Sequence, residues 1–225
     1  MQYTSYERVK SALEHKESDK IPFDLGGSVL TGMNKHCYKR LRKYLGMKEI
    51  EIDIYDTMQQ LARIDEDMID FLKIDVRCAD PSKPSIPGLA RDPERIGDYY
   101  EMTDEWGVGW KMPVDNGHYF DMDKRPLELI ETIEEIEKYP WPDPVDPKRF
   151  ETLKARADKF VFDEKRAYIL GRQYAGIWET ALWMSGFEKF FCDMMLNEEF
   201  AHALMDKITT LKMMYWEKAL EAVGE

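Results

Sequence analysis

The stretch RAYILGRQYAGIWETALWMSGFEKFF, residues 166–191, decides how this chain is read. Ala167 to Leu170 are apolar enough for a buried strand. Gly171 then lets the chain turn, and Arg172, Gln173 and Tyr174 follow at the tip. A long amphipathic pattern runs from about Ile177 to Met195. A buried strand that ends in a guanidinium, an amide and a phenol asks for partners elsewhere in the chain.

Two other stretches supply them. DKIPFDLGG reads as a strand from Ile21 to Leu25, closed by Gly26 and Gly27 and carrying Asp24. IDVRCA, residues 74–79, reads as a second strand, with Arg77 in it and Asp80 just past it. Helical patterns separate these strands. A capping box, Thr4 with Glu7, opens a helix to about Lys16. MNKHCYKRLRKYLG is a helix stopped by Gly46. DTMQQLARIDEDMIDFLKI reads as one helix running into the second strand. Strands alternating with helices imply a parallel sheet, in which polar groups gather past the carboxyl ends of the strands.

Between residues 99 and 123 the pattern alternates as in an antiparallel hairpin, with VDNG as a turn. Thr132 and Glu135 form another capping box. Asp146-Pro147 starts a helix with a capping aspartate and a proline at the first position. Asn197 caps the last helix, where Phe200, Leu204, Ile208, Leu211 and Tyr215 recur at helical spacing.

Composition bounds the function. The 225 residues are 44% hydrophobic and 34% charged, with a net charge of −12. A basic nucleic-acid footprint is missing, and no apolar run approaches the ~18 residues of a membrane span. Cys37, Cys78 and Cys192 are scattered and odd in number, which fits a reducing cytoplasm better than a disulfide framework. The 14 methionines read as core filling. No His-x-Cys pair occurs, and no metal-ligand spacing stands out.

If the three strand tips meet, they offer two guanidiniums, two carboxylates and a phenol. Arginine grips carboxylate or phosphate with two prongs. Asp24 or Asp80 suits an amine-bearing ligand or proton transfer. Plainer readings stand beside these: a tight turn for Gly26-Gly27, a turn cap for Asp80, and an internal ion-pair partner for Arg77.

These residues resemble the uroporphyrinogen decarboxylase superfamily. The likeness is carried by SYERVKSALEHKESDKIPFDLGG, by FLKIDVR, by DEWGVGW and by the run from Leu170 to Ile208. The resemblance implies an α/β fold: a (β/α)8 TIM barrel, represented by its N-terminal part as a single domain over 1–225, with an inserted β-hairpin. It implies a methyltransferase-like enzyme working with a corrinoid protein or a methylated small molecule, or alternatively a decarboxylase of a porphyrinogen-type polycarboxylate. The segment DLGGSVLTG lacks the arginines of a true uroporphyrinogen decarboxylase, which disfavours that substrate. On the resemblance the catalytic residues are Asp80, with Asp75 as the other choice, and Tyr174. The substrate-binding residues are Asp24, Gly26, Gly27, Arg77, Arg172 and Gln173. No cofactor is expected in the chain itself; zinc and a corrinoid belong to the expected longer parent.

A barrel of eight units typically needs about 250 residues. The chain is therefore expected to be part of a larger enzyme, inactive alone but able to bind a small anion weakly at Arg172. A small-molecule substrate, a corrinoid protein and a second copy of the chain are the expected partners, with no nucleic acid and no membrane. A non-catalytic binding module is the remaining class.

Overall fold

A computed structural model describes residues 3–172 and 174–224. Among them the helices are α1 (Ser5–Leu13), α2 (Lys35–Tyr44), α3 (Glu66–Leu72), α4 (Ile133–Lys138), α5 (Leu153–Asp158), α6 (Ile177–Ser185), α7 (Phe187–Leu196) and α8 (Glu198–Val223). The strands are β1 (Met33–Asn34), β2 (Ile54–Asp56), β3 (Leu61–Ala62), β4 (Val76–Ala79), β5 (Arg91–Ile96), β6 (Tyr99–Thr103), β7 (Gly109–Pro113), β8 (Asp121–Lys124) and β9 (Ala167–Leu170). The chain divides into two compact units. Residues 1–80 and 152–171 form the first, residues 81–151 and 172–225 the second, and the boundary falls within the quoted stretch, after Gly171.

The expected TIM barrel is not what the chain forms. The strands make three small sheets, in the orders β1-β3-β2, β4-β9 and β5-β6-β7-β8, and no closed barrel is present among the described residues. The parallel ladder is the pair β4–β9, with Val76 opposite Ala167 and Ala79 opposite Leu170. Residues 21–25, expected as a third parallel strand, form no ladder. Pro22 lacks an N–H, and one backbone–backbone bond, from Asp75 N to Phe23 O at 2.8 Å, ties the segment to the start of β4. The helix expected across 56–74 is helical from Glu66 onward. Its first half instead holds the turn that follows β2 and then β3, which pairs antiparallel with β2. Gln60, at φ 54°, breaks the helical path there.

In the first unit, the capping box of α1 is as the sequence dictates: Thr4 Oγ1 accepts from Glu7 N and the Glu7 carboxylate accepts from Thr4 N. Tyr38, Ala62, Ile64, Met68, Ile69 and Ile74 form a core, with Leu25, Leu41 and Leu72 packed on it. Arg8, 5% exposed, pairs with Asp75, 0% exposed, at 2.5 Å. The Asp75 carboxylate also accepts from Ser5 Oγ at 2.7 Å and from Phe23 N at 2.9 Å. It locks α1 and the 21–25 segment to the foot of β4.

Gly171 answers one part of the opening question. Its N–H donates to Ala79 O at 3.1 Å, which draws the end of β9 against β4. A Cβ at this position would lie 2.0 Å from Asp80 Oδ1 and 3.0 Å from Asp80 Cα. Gly171→Ala is therefore expected to cost about 1–3 kcal/mol, as overpacking does. Hydrogen exchange of the β9 amides measures it, and Asp80→Ala in the same background should restore part of the protection. Unchanged exchange in the single variant would show that the tip absorbs a methyl group.

The second unit holds the expected hairpin, enlarged to a four-stranded antiparallel meander, β5 to β8. Its helical part is built on α8, which contacts α4, α6 and α7. The stripe Phe200, Leu204, Ile208, Leu211 and Tyr215 is buried, as the spacing requires. The single helix expected from Ile177 to Met195 breaks at Gly186, whose φ is +88°. A Cβ there would meet Arg125 Cδ at 2.6 Å, so the break is also a close approach. No helix among the described residues is long and apolar enough to cross a membrane.

Candidate functional site

Asp24, Gly26, Gly27, Arg77 and Asp80 belong to the first unit, Arg172 and Tyr174 to the second. Gln173 lies outside the described residues. In the first unit, Asp24 Oδ1 accepts from Gly27 N at 2.8 Å, which makes Asp24 the cap of its own turn. Gly26 adopts φ +78° and faces Ile64, whose Cγ1 would lie 2.5 Å from an added Cβ. Arg77 points into the α3 side of the unit. It bonds both Glu66 oxygens at 2.7 Å and Glu164 at 2.8 Å. Asp75, the alternative to Asp80 on the resemblance, is enclosed in the Arg8 network.

Asp80 stands past β4 next to two weak acids that are held protonated. Burial pushes the Cys78 thiol up to about 12, with the Asp80 charge adding to the effect. Burial also raises the Tyr55 phenol, again with Cys78 and Asp80 contributing. Tyr55 Oη and Cys78 Sγ are 3.3 Å apart. Cys78 is thus a poor nucleophile.

The second unit gathers a different set around Asp104, a residue of the DEWGVGW stretch. Asp104 Oδ1 accepts from the N–H groups of Trp106 at 2.9 Å and Val108 at 3.0 Å. Its Oδ2 accepts from Trp110 Nε1 at 2.7 Å and from the Tyr174 hydroxyl. The turn between β6 and β7 shapes this cup, with Gly107 at φ +83° and Gly107 N donating to Asp104 O at 3.1 Å. Rings enclose it. Tyr174 stacks on Trp106 at 5.3 Å between centroids, and Trp183 meets both Tyr174 and Trp110 edge-on, at 5.4 and 5.0 Å. Tyr174 itself has φ 75°, a conformation that a non-glycine residue holds only where its surroundings enforce it.

Burial lifts the Asp104 carboxyl from an ordinary value of 3.8 to about 6, although its four hydrogen bonds oppose the rise. Burial also raises the Tyr174 phenol, and the Asp104 charge raises it further. Lys212 of α8 is pushed the other way, down to about 8, by burial and then by the Arg172 charge; Glu179 and Glu105 oppose this. Its ammonium lies 5.7 Å from the centre of the Trp106 ring and donates to Ala175 O at 2.5 Å. Arg172 is exposed, and its charge acts on Lys212. Trp106 is fully buried, and its Nε1 has no hydrogen-bond partner among them.

Asp104, Trp106 and Lys212 were not among the residues expected to work. Asp104 had a local signal, an aspartate three residues before a glycine between two strands. Lys212 had none, because LKMMYW reads as core filling. Tyr174→Phe is expected to raise the titration point of Asp104 above about 6, because the lost hydrogen bond favours the ionised form. Carboxyl carbon NMR measures this, and a lowered titration point would contradict the assigned donor.

Among the described residues no group of three or more His, Cys, Asp or Glu could hold a metal ion. In comparisons with family models, with curated proteins and with solved structures, nothing matches the chain, so the likeness to the uroporphyrinogen decarboxylase superfamily rests on the quoted motifs alone.

Proposed function

We propose that the second unit carries the proton-transferring, anion-gripping part of an enzyme that acts on a small carboxylate-bearing substrate. One observation carries the reading: a carboxyl that titrates near 6 is bonded to Tyr174, whose ring stacks on Trp106, and a depressed lysine lies over that same Trp106 ring. Groups with pKa values moved toward neutrality by burial and specific partners are the mark of acid–base sites. Arg172 and Lys212 are the cations for the substrate's carboxylate. The Trp106 indole N–H is a further donor.

The resemblance narrows the reaction to methyl transfer, with decarboxylation as the alternative. In methyl transfer, the methyl group passes to a nucleophile, its bonding pair stays on the leaving heteroatom, and Asp104 supplies that atom's proton. In decarboxylation, the bond to the carboxyl carbon breaks, the pair stays on the remaining carbon, and the same proton goes there. The pair Arg172 and Lys212 specifically favours decarboxylation of a substrate with one or two carboxylates over one with eight. The free thiols Cys37, Cys78 and Cys192 support a reducing cytoplasm as the setting. A corrinoid protein and a second copy of the chain remain proposed partners.

Calorimetric titration of the protein with succinate tests the grip. Binding should weaken as pH rises through about 6, where Asp104 ionises, and again through about 8, where Lys212 loses its charge. Arg172→Ala and Lys212→Met should each weaken it about tenfold. Methyl transfer from methylcobalamin to a thiol and CO2 release from pyrrole-3-acetate, whose ring takes up the bonding pair before the carbon is protonated, distinguish the two reactions, and Asp104→Asn should abolish whichever occurs. Binding without either reaction would leave a binding module. No succinate binding at any pH would overturn the site.

A further inference from the structure

We propose a second ligand site in the first unit: a cleft of about 320 Å3 beside β4, built to hold a small aromatic anion. It is independent of the reading of the second unit. Its volume lies at the lower end of the range of small-molecule sites, roughly 300–1,000 Å3.

The walls combine rings and cations. Tyr55 and Phe160 both line the cleft. Arg63 lies 5.3 Å from the Tyr55 ring centre, and Arg77 lies 5.3 Å from that of Phe160. Arg156 and Lys159 complete the basic lining. The guanidinium of Arg156 donates to Cys78 O at 3.1 Å and to Asp80 O at 2.7 Å. These carbonyls point away from β9, whose bonds go to Asp75 O and Ala79 O, so Arg156 seals the other edge of β4.

The charges there are incompletely matched. Arg77 is neutralised by Glu66 and Glu164, and Arg63 by an exposed Asp53 at 2.8 Å. Arg156 has no carboxylate partner among the described residues, and the nearest one to Lys159, Glu164, stands off at 3.8 Å. Asp80, beside Tyr55 and Cys78, brings the carboxylates to four against four cations, so the anion's partners are Arg156, whose guanidinium bonds two backbone carbonyls, and the exposed Lys159. Lys159 and Phe160 reach it because residues Lys159–Asp163 form a π-helical turn, a widened geometry that recurs at functional sites. Leu25, Ile64 and Val76 supply apolar wall. Cys78 stays protonated there, so the cleft binds without attacking its ligand.

The anionic group is a carboxylate or a phosphate on an aromatic body. Amide NMR titrations of the whole chain with benzoate and with phenyl phosphate separate the two, and benzyl alcohol is the neutral control. Saturable shifts at residues 25–26, 63 and 156–160 are expected for at least one anion, with a dissociation constant on the order of 1 mM or tighter. Benzyl alcohol should bind at least about tenfold more weakly. Lys159→Glu, at an exposed position, should lower anion affinity by about tenfold or more, with Lys159→Gln between. Lys124→Glu, in the other unit, should change nothing. The proposal fails if neither anion saturates by about 10 mM, if the shifts fall elsewhere, if benzyl alcohol binds as tightly, or if Lys159→Glu leaves affinity unchanged.

Discussion

Asp75→Ala should destabilise the first unit by about 3–5 kcal/mol, the usual cost of removing one partner from a buried ion pair. Asp75 is 0% exposed and Arg8 is 5% exposed, so the guanidinium left behind is cut off from water on most sides. Asp19 retains two bonds to it, at 2.7 and 3.0 Å, and keeps the loss from being greater. Ser5 Oγ and Phe23 N would lose their acceptor as well. The effect should concentrate where Asp75 ties elements together: α1, residues 21–25 and β4. Hydrogen exchange of peptides from these segments is the measurement. All six tryptophans lie in the second unit, so their fluorescence should hardly respond. Replacing both partners, Arg8→Met with Asp75→Leu, should recover part of the loss, because apolar isosteres need no counter-charge. Unchanged protection in Asp75→Ala would mean that the α1–β4 junction does not depend on the pair.

What could be read in the sequence was local. Thr4 and Glu7 cap each other within one turn, so their pattern survives any tertiary arrangement. The stripe from Phe200 to Tyr215 repeats at 3.6 residues over 26 residues of helix. Gly46, at φ +68°, stops α2 as a left-handed position should. Nonlocal ladders were the failure. Ile21 to Leu25 has strand composition but finds no strand partner, and Pro22 removes a donor it would need. Thr57 to Gln60 fits a helix by spacing, yet the turn at Gln60 pairs β3 with β1 and β2. The barrel expectation inherited both errors, because it needed those segments as strand and helix.

The same distinction applies to the sites. Tyr174 was marked by its place after a strand, and it does bond a carboxylate. That carboxylate is Asp104, 70 residues away, and no spacing rule connects the two. Arg77 had an internal ion-pair reading from the outset, and Glu66 and Glu164 are such partners. Lys212 is informative only through burial and the nearby Arg172 charge, neither of which periodicity records.

Asp104→Ala should cost the second unit about 3–5 kcal/mol, since it removes one acceptor group from four donors at once. Two are the backbone N–H groups of Trp106 and Val108, one is the Trp110 indole, and one is the Tyr174 phenol. A buried donor left alone costs about 1–3 kcal/mol, and water entering the half-buried cup offsets part of the sum. The pH dependence of the native protein separates this role from mere packing. The folded carboxyl titrates at about 6, above its ordinary 3.8, so the folded state favours the protonated form. This group's contribution is therefore most favourable below about pH 4. It declines as pH rises from about 4 to about 6, and above that the full penalty, roughly 2–3 kcal/mol, persists. Asp104→Asn keeps an acceptor for the two backbone donors but cannot ionise. It should be less stable than the parent near pH 4, and its stability should not fall between pH 4 and 6 on this account. Guanidinium titrations followed by tryptophan fluorescence, run at about pH 4, 5, 6 and 7 on both proteins, read the difference directly. Parallel pH profiles for the parent and Asp104→Asn would show that Asp104 is not the group that titrates, and the acid–base reading of the site would lose its proton.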